Sequence, residues 1–571
     1  MSTDLERHFK ELVAKLKKGV PLTQADAEVL DGVSAALGQR ISDRDIPLVT
    51  DAFTATSPAE TRIRLCLDFG TAMSKAWATG NRATETIPLV LGAPAGLGNV
   101  LAVPSSVYIS KTGRIYFGGA AETQHRQEMG SGRLRFDNLK RMLSDEDVRQ
   151  ELDDTAVSTA IDPTSTLSKG DILVLYLAWL TDLALTALMS QTSDGRLEIS
   201  GHLRFVKRRF AIPCFEDAQD ETRAIERAEW AQRIMERSIL RAQLVADTLH
   251  EYWDQLTVSE ARTVLMQVRN QDTAALSQLI CLDHSVRESI AAGASRFEEE
   301  IEEGESGTSR RYMLVIDAGA GTTDFAVFEV FVDQEKERVR YGLIAPTVRM
   351  NRIAGNAIDE VLRPVILRAC GIDPANGSPR SEGDWRLIRT DLDGRIRDLK
   401  QLLFENGEID VALSLNTHGA VQLDRLEQEP AYRELGRKIN ETRQSILSSL
   451  FDTEFLELVR TRNEHTGQPM SISVLLTGGS SAVPIIRSLA EGELEIEGAR
   501  FRFVHVKDLP NWIGTLSREE AELVGRNYRQ CAVAIGGSVE TLPKTVHDLR
   551  SAITSPRPGP RKLERNQTGG I

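Results

Sequence analysis

Apolar and polar residues alternate along most of the chain in blocks that predict short strands followed by long helices. This pattern begins near Arg62 and is typical of an α/β architecture. Residues 1–60 differ, because apolar residues recur at helical spacing from Phe9 to Leu16 and Pro21 ends that helix. A second amphipathic helix begins near Thr23. The segment before Arg62 is therefore predicted to form a helical N-terminal extension.

One apolar run has the length of a membrane span. It covers Ile172 to Met189, with Asp182 near its middle and no basic cluster at either end. A buried helix and a membrane span both fit the length, and the flanks favour the buried helix. Ser168 and Asp171 just before the run are typical of a helix start.

Charge and cysteine usage narrow the class of protein. The chain has 571 residues and a net charge of −14, which argues against a protein that coats nucleic acid or an anionic membrane. The five cysteines are widely spaced without a CxxC pair, which predicts buried free thiols rather than a zinc or redox site. The charged N-terminus lacks the apolar core of a signal peptide, so a cytoplasmic location is expected.

A basic cluster with two aromatic neighbours lies in the segment HLRFVKRRFAIP, residues 202–213. Such a segment can bind single-stranded nucleic acid. A strand at the edge of a sheet with solvated charges also fits, and edge strands commonly carry charge. The second interpretation is favoured, so no nucleic-acid partner is expected.

An internal repeat carries the candidate chemistry. Ile63–Ala78 and Tyr312–Val330 each contain an apolar strand, then Asp-x-Gly, then small and hydroxyl residues, then a second apolar strand. A single such hairpin is common. Two matching copies, led by Asp68 and Asp317, predict a pair of facing hairpins that clamp a nucleotide's phosphates and its metal.

The residue types in the repeat suit that role. Carboxylates are hard oxygen ligands for hydrated Mg²⁺, and Gly319 and Gly321 allow backbone N–H groups to approach phosphate. Four residues can donate hydroxyl groups to phosphate oxygens: Thr71, Ser74, Thr322 and Thr323.

With these motifs in order, the chain resembles the ATPase domain of the seventy-kilodalton heat-shock chaperones, within the actin, sugar-kinase and heat-shock superfamily. The resemblance runs from about residue 62 to 540. Its main blocks are LDFGTAMSK, FDNLKRML, ESIAAGAS, IDAGAGTTDF, RIAGNAIDEVL and LLTGGSSAVPII.

The resemblance implies a two-lobed, actin-like α/β fold with a nucleotide cleft. Lobe I would cover 61–310 with a helical insertion at about 216–285, and a returning helix near 528–545 would complete it. Lobe II would cover 311–527. A disordered tail is expected at 546–571.

The resemblance also implies a slow, Mg²⁺-dependent ATP hydrolase. Its catalytic residues would be Lys140, Asp317 and Thr322, and its metal would be held by Asp68, Glu288, Asp317 and Asp324. The nucleotide-binding residues would be Gly70, Thr71, Ala72, Ser74, Gly319, Ala320, Gly321, Thr323, Gly355, Lys400, Gly478, Gly479 and Ser480.

Two departures from the family affect the base and the client. Ala482 and Gln401 stand where the chaperones carry arginines that stack on adenine, which predicts weaker ATP affinity and weaker discrimination against GTP. The segment from Gly537, the last matched glycine, to Ile571 is too short for a β-sandwich, so no peptide-binding domain is expected.

Two functions remain open. The first is a nucleotide-dependent conformational switch, which would act on a partner protein through the N-terminal helices or the 216–285 insertion. The second is an actin-like structural protein that polymerises with ATP.

Overall fold

The computed structural model describes residues 46–51, 63–80, 86–92, 100–128, 131–145, 148, 150–193, 206–213, 221–273, 285–296, 311–333, 338–343, 349–373, 381–451, 453–539 and 542–545. The predicted helical extension lies almost wholly outside these residues, and the predicted tail at 546–571 lies wholly outside them.

The described strands divide between the two halves of the chain. Those of the first half are β1 (Arg64–Asp68), β2 (Met73–Thr79), β3 (Thr86–Pro88), β4 (Ala102–Pro104), β5 (Val107–Ile109), β6 (Ile115–Phe117), β7 (Lys207–Ile212) and β8 (Val286–Arg287). Those that follow are β9 (Arg311–Ala318), β10 (Thr323–Asp333), β11 (Arg338–Leu343), β12 (Arg349–Asn351), β13 (Glu408–Leu413), β14 (Thr417–Gln422), β15 (Met470–Thr477), β16 (Gly492–Ile496), β17 (Ala499–His505) and β18 (Lys544–Thr545).

The described α-helices alternate with these strands. The first six are α1 (Gly118–Gln127), α2 (Met142–Asp145), α3 (Lys169–Ser193), α4 (Glu221–Leu249), α5 (Val258–Arg269) and α6 (Glu288–Ala294). The others are α7 (Gly355–Ala369), α8 (Glu382–Asn406), α9 (Leu423–Gln428), α10 (Pro430–Leu450), α11 (Thr453–Thr466), α12 (Pro484–Arg487) and α13 (Arg518–Ser538). The predicted α/β class is confirmed.

Two large sheets share one arrangement of strands. The first has the order β3-β2-β1-β7-β8, with β4 beside β2. The second has the order β16-β17-β15-β9-β10-β11-β18, with β12 beside β10. In each sheet an antiparallel hairpin, β1–β2 or β9–β10, is flanked by a parallel strand, β7 or β15. The repeated sequence pattern therefore occupies equivalent positions in two sheets.

Each sheet has its own hydrophobic core. The first core gathers residues between 46 and 268, and the second gathers residues between 312 and 503. Helix α13 packs on β1, β2 and α6. Two smaller clusters add α6 and α13 residues to these cores, so these two helices lie where the sheets meet.

The long apolar run forms helix α3. The most apolar 18-residue window within Lys169–Gln191 has a mean hydropathy of 2.0, and 72% of that window is buried inside the protein. By length and composition alone it could cross a membrane, a test that the core helix of a soluble protein also passes. Its buried Asp182 accepts hydrogen bonds from His250 Nδ1 at 2.8 Å and Trp253 Nε1 at 3.0 Å, which satisfies the carboxylate inside the core.

The start of α3 follows the sequence expectation. The Ser168 hydroxyl accepts a bond from the Asp171 backbone N–H at 3.1 Å, and the Asp171 carboxylate accepts one from the Ser168 N–H at 2.9 Å. This reciprocal pair satisfies two donors at the start of the helix.

The expectation of an edge strand with solvated charges at β7 is wrong. The strand lies between β1 and β8, and both Arg208 and Arg209 are buried. The Arg209 guanidinium donates to the carbonyl oxygens of Gly537 and Val539 at 3.0 and 2.8 Å. These carbonyls lie at the end of α13, where a cation compensates the negative end of the helix dipole.

The bounds of the predicted returning helix also change. The returning helix runs over Arg518–Ser538 rather than 528–545, and Lys544–Thr545 pair with β11 of the second sheet. The described part of the predicted insertion is packed into the first core, to which α4 contributes Trp230 and α5 contributes Leu265.

Candidate functional site

The two repeated hairpins have the same register but different charges. Asp68 at the end of β1 lies directly opposite Lys75 on β2. Asp317 near the end of β9 lies directly opposite Asp324 on β10. The spacing along the chain between the first aspartate and its partner is the same in both hairpins. One hairpin therefore pairs opposite charges, and the other pairs two carboxylates.

The turns of the two hairpins touch each other. A Cβ atom added to Gly321 would lie 2.9 Å from Oγ1 of Thr71, so glycine is what allows this approach. At Gly70 an added Cβ would collide with the carbonyl oxygen of Met73, which requires glycine within the first turn. The turn residues are half-buried although the strands that carry them are buried.

In the first hairpin, Lys75 neutralises Asp68. The Nζ atom lies 2.9 Å from Oδ2 of Asp68, and the exposed fractions of the two side chains are 14% and 3%. Burial works against the charge of Lys75, but the Asp68 carboxylate outweighs it and raises the pKa of the lysine.

In the second hairpin, the residue opposite Asp317 is a carboxylate, Asp324, rather than a lysine. Burial raises the pKa of Asp317 to about 6, against a hydrogen bond from Thr477 that favours the ionised form. The adjacent Asp324 raises this pKa further. The hydroxyl groups of Thr477 and Thr322 each donate at 2.8 Å, to Asp317 and Asp324 respectively.

Lys140 and Glu288 form an ion pair beside both hairpins. Lys140 lies in a short 3-10 helix, Leu139–Arg141, and Glu288 is the first residue of α6. Burial lowers the pKa of Lys140, while Asp68 and the carboxylates of the second hairpin raise it. The predicted catalytic lysine is thus near the predicted aspartates.

The predicted metal ligands are each engaged by another group of the protein. The partner is Lys75 for Asp68, Lys140 for Glu288, Thr477 for Asp317 and Thr322 for Asp324. Among the residues that the structure describes, no three His, Cys, Asp or Glu side chains are grouped as a site for a metal ion. A metal held largely by water and substrate phosphates, as Mg²⁺ commonly is, needs fewer direct ligands.

The predicted hydroxyl donors differ in their availability. Ser74 is buried against Ser105 at 2.8 Å, and Thr323 donates to the carbonyl oxygen of Ile353 at 2.8 Å. These two hydroxyls support the hairpins. Thr71 and Thr322 lie in the half-buried turns, close to Ala72 and Ala320 respectively, and the Thr322 hydroxyl donates to Asp324.

A second group of predicted residues surrounds Gly355 at the start of α7. An added Cβ there would lie 2.5 Å from Ser480 Oγ and 3.2 Å from Lys400 Nζ. The Gly355 N–H and the Ser480 hydroxyl both donate to the carbonyl oxygen of Gly319, at 3.2 and 2.8 Å. The second hairpin turn is therefore continuous with this group.

The neighbouring predicted residues complete this group. Gly478 has a φ of +86°, and an added Cβ would collide with the backbone of Ala318, so only glycine suits this position. A Cβ added to Gly479 would meet nothing within 4 Å. Lys400 forms an ion pair with Asp359 at 2.7 Å, and burial lowers the pKa of the lysine despite that partner.

Two positions were predicted to lack the arginines that stack on adenine, and both are exposed to solvent. These positions are Ala482 and Gln401, and the amide of Gln401 donates to Glu405 at 2.7 Å. The end of the candidate site that is predicted to bind phosphate is half-buried to buried, whereas the positions predicted to contact the base are exposed.

Sequence reasoning missed three residues that hold the site together: Lys75, Asp359 and Thr477. Lys75 had a usable signal, because it stands at the same offset from Asp68 as Asp324 from Asp317. Tertiary packing places Asp359 beside Lys400 and Thr477 beside Asp317, and no repeated spacing in the sequence marked either residue.

No protein-family model matches this chain, and no curated protein sequence matches it. What the site can do is therefore inferred from its own residues.

Proposed function

We propose that this protein binds Mg-ATP between the two hairpins and hydrolyses it slowly, as a nucleotide-dependent conformational switch for a partner protein. The proposed fold is the two-lobed, actin-like fold of the heat-shock chaperone ATPases. One observation carries the proposal. Two hairpins with the same Asp-x-Gly pattern occupy equivalent positions in two sheets, and their turns meet at Thr71 and Gly321.

The charges around the turns support a phosphate site. Lys75 and Lys140 are cations held in the interior beside them, and the turns offer backbone N–H groups where glycine permits close approach. A bound Mg²⁺ would supply charge neutralisation for the phosphates and for the Asp317–Asp324 pair. Asp68, Glu288, Asp317 and Asp324 are the residues that would hold it with its water.

The environment of Asp317 supports a role in proton transfer. A pKa of about 6 leaves the carboxylate ionised at neutral pH but more basic than an ordinary aspartate, which suits a general base. Lys140 would orient the attacking water or stabilise the charge that develops on the γ-phosphate, and Thr322 would donate to the same phosphate.

Contacts between distant segments support a switch. The Arg397 guanidinium on α8 donates to Oδ1 of Asn138 at 3.0 Å, just before Lys140 in the chain. The second turn is bonded to Gly355 and Ser480. A ligand that moves one turn against the other would therefore also shift α7, α8 and the Lys140 segment.

Calorimetry with ATP, with and without Mg²⁺, tests the proposal together with single-turnover hydrolysis. Mg²⁺-dependent ATP binding that Asp324→Asn weakens at least tenfold is expected, because one of the paired carboxylates loses its charge. The exposed Asp410→Asn is the matched control. No binding at millimolar ATP would overturn the proposal.

Light scattering and pelleting distinguish the switch from the alternative function, a protein that polymerises with ATP. The switch predicts nucleotide-dependent changes in hydrogen exchange around Asn138 and Arg397 without sedimentable polymer. ATP-dependent filaments would favour the actin-like function instead.

A further inference from the structure

A cavity of about 330 Å³ is lined mainly by residues of the second sheet, of the segment after β17 and of α13, and none of its lining residues is among those predicted to bind nucleotide. Its lining includes Leu475 and Leu476 of β15 and Tyr528 of α13. The segment after β17 and Arg296 after α6 also line it. Its volume is within the range of small-molecule sites.

The lining of this cavity is basic although the whole chain is acidic. Four lining residues are cationic, namely Arg296, Lys507, Arg526 and Arg529, and only Asp508 is anionic. The net charge of the chain is −14, so this local excess runs against the overall balance. The cavity is therefore a place where an anion is favoured.

Much of this positive charge lacks an acidic counterpart. Within the described part of the chain, Arg526 and Arg529 take part in no ion pair. The Arg296 guanidinium donates to the Asp508 carbonyl oxygen at 2.6 Å, and Lys507 lies 3.3 Å from Glu491. Burial, and then the nearby Arg487, lower the pKa of Arg529.

A buried histidine precedes the lining residue Val506 in the chain and is not itself a lining residue of the cavity. The side chain of His505, at the end of β17, is only 3% exposed. Neither of its ring nitrogens has a hydrogen-bond partner among the described residues. Burial, then Arg529, lowers the pKa of His505, and Lys507 and Arg487 act in the same direction. Glu491, 3.8 Å away, is the opposing charge.

We propose that this cavity binds a small phosphate-bearing anion, with Arg526 and Arg529 as the main ligands of the phosphate group. Guanidinium groups match phosphate oxygens with paired hydrogen bonds. The volume of the cavity would accommodate a small organic body attached to the phosphate. Because residues of β15 line the cavity and the Gly478 N–H donates to the carbonyl oxygen of Arg529 at 2.8 Å, ligand binding here would also influence the candidate nucleotide site.

Calorimetry on the full chain at constant ionic strength tests this site. Inorganic phosphate and glycerol phosphate are the two probes, and they distinguish free phosphate from a phosphate ester. Wild-type protein is expected to bind at least one of them, and Arg526→Gln/Arg529→Gln is expected to lose at least tenfold in affinity. The exposed Arg386→Gln on α8 is the matched control and should bind like the wild type.

The cleft between the hairpins could itself bind phosphate, so a second variant separates the two sites. Lys140→Met, which removes a cation from that cleft, should retain phosphate binding of wild-type strength if the cavity is responsible. Equal affinity in the wild type and the double arginine variant, or no binding of either probe, would overturn the proposal. Thermal unfolding of each variant verifies that it is folded. These outcomes are independent of ATP binding at the hairpins.

Discussion

Asp68 and Asp317 occupy the same position in two hairpins of the same pattern, yet their surroundings are opposite. The residue across the strand pair is Lys75 in the first hairpin and Asp324 in the second. The first aspartate is held in an ion pair at 2.9 Å, and the second has its pKa raised to about 6.

The difference in the opposing residue gives the two hairpins different electrostatic properties. The first hairpin carries its own cation, which neutralises its aspartate and would offer positive charge to a bound phosphate. The second hairpin concentrates negative charge in a buried position, which favours binding a cation or a proton. A duplicated backbone can thus present two kinds of electrostatic site, because one cross-strand residue determines the sign of each.

The largest expected effect is on hydrolysis. Asp317→Ala and Lys140→Ala should each lower the single-turnover rate of ATP hydrolysis about 100-fold or more, because both groups would act where charge develops in the transition state. Mg-ATP binding should stay measurable. Asp410→Ala is the control, and undiminished rates in both site variants would contradict the assignment.

The next effect contrasts the two hairpins through stability. Asp68→Asn should lower the free energy of unfolding by about 3 kcal/mol, because Lys75 is left buried without its counter-charge. Chemical denaturation measures this. The double variant Asp68→Asn/Lys75→Met should recover part of the loss. An unchanged free energy of unfolding in Asp68→Asn would show that the ion pair contributes little.

Asp317→Asn should instead raise the free energy of unfolding. The pKa of Asp317 is about 6 in the folded protein and about 3.8 in the unfolded chain. Ionisation of Asp317 therefore destabilises the folded, nucleotide-free protein above pH 6, and this penalty disappears as the pH falls below 4. The variant should be more stable than the wild type by about 2–3 kcal/mol at pH 7.5, with little difference near pH 4. A loss of stability at pH 7.5 would refute the raised pKa.

A smaller effect tests whether the two turns must touch. Gly321→Ala would place a methyl group 2.9 Å from Thr71 Oγ1 and should weaken ATP binding about tenfold, roughly 1.4 kcal/mol. Adding Thr71→Ser should restore part of the affinity, because Ser lacks the methyl group that would lie 3.2 Å away and its hydroxyl can rotate away from the new Cβ atom. Gly394→Ala, in open space on α8, is the control. Unchanged affinity in Gly321→Ala would mean that the contact is irrelevant to the ligand.

The smallest effect concerns the base end of the site. Ala482→Arg should tighten ATP about fivefold, roughly 1 kcal/mol, and GTP less, because a guanidinium can stack on adenine. Calorimetry with both nucleotides measures the difference. Tight and strongly ATP-selective binding by the unmodified protein would show that other residues have replaced the missing arginines.

Local pattern was sufficient for several features. Strand–helix alternation predicted the α/β class, and the repeat predicted both hairpins, because strand periodicity and Asp-x-Gly turns are properties of short segments. The start of α3 followed from Ser168 and Asp171 for the same reason. Burial of free thiols is confirmed for Cys66, Cys370 and Cys531.

Charges in strands were less predictable. The pattern predicted that Arg208 and Arg209 are solvated edge residues, yet both are buried, and Arg209 closes the end of α13. A sequence window contains the charge but not its partner, and here the partner carbonyls belong to Gly537 and Val539, far along the chain. The burial of an arginine therefore depends on what the tertiary structure brings to it.

The same limit applies to the candidate site. The sequence by itself determined which residues carry carboxylate, amine and hydroxyl groups and that Asp68 and Asp317 end equivalent strands. Only the tertiary structure decided that Thr71 meets Gly321, that Glu288 pairs with Lys140 and that Thr477 bonds Asp317. The physical reason is that such contacts, and the pKa values that depend on them, arise from desolvation and distance between segments far apart in the chain.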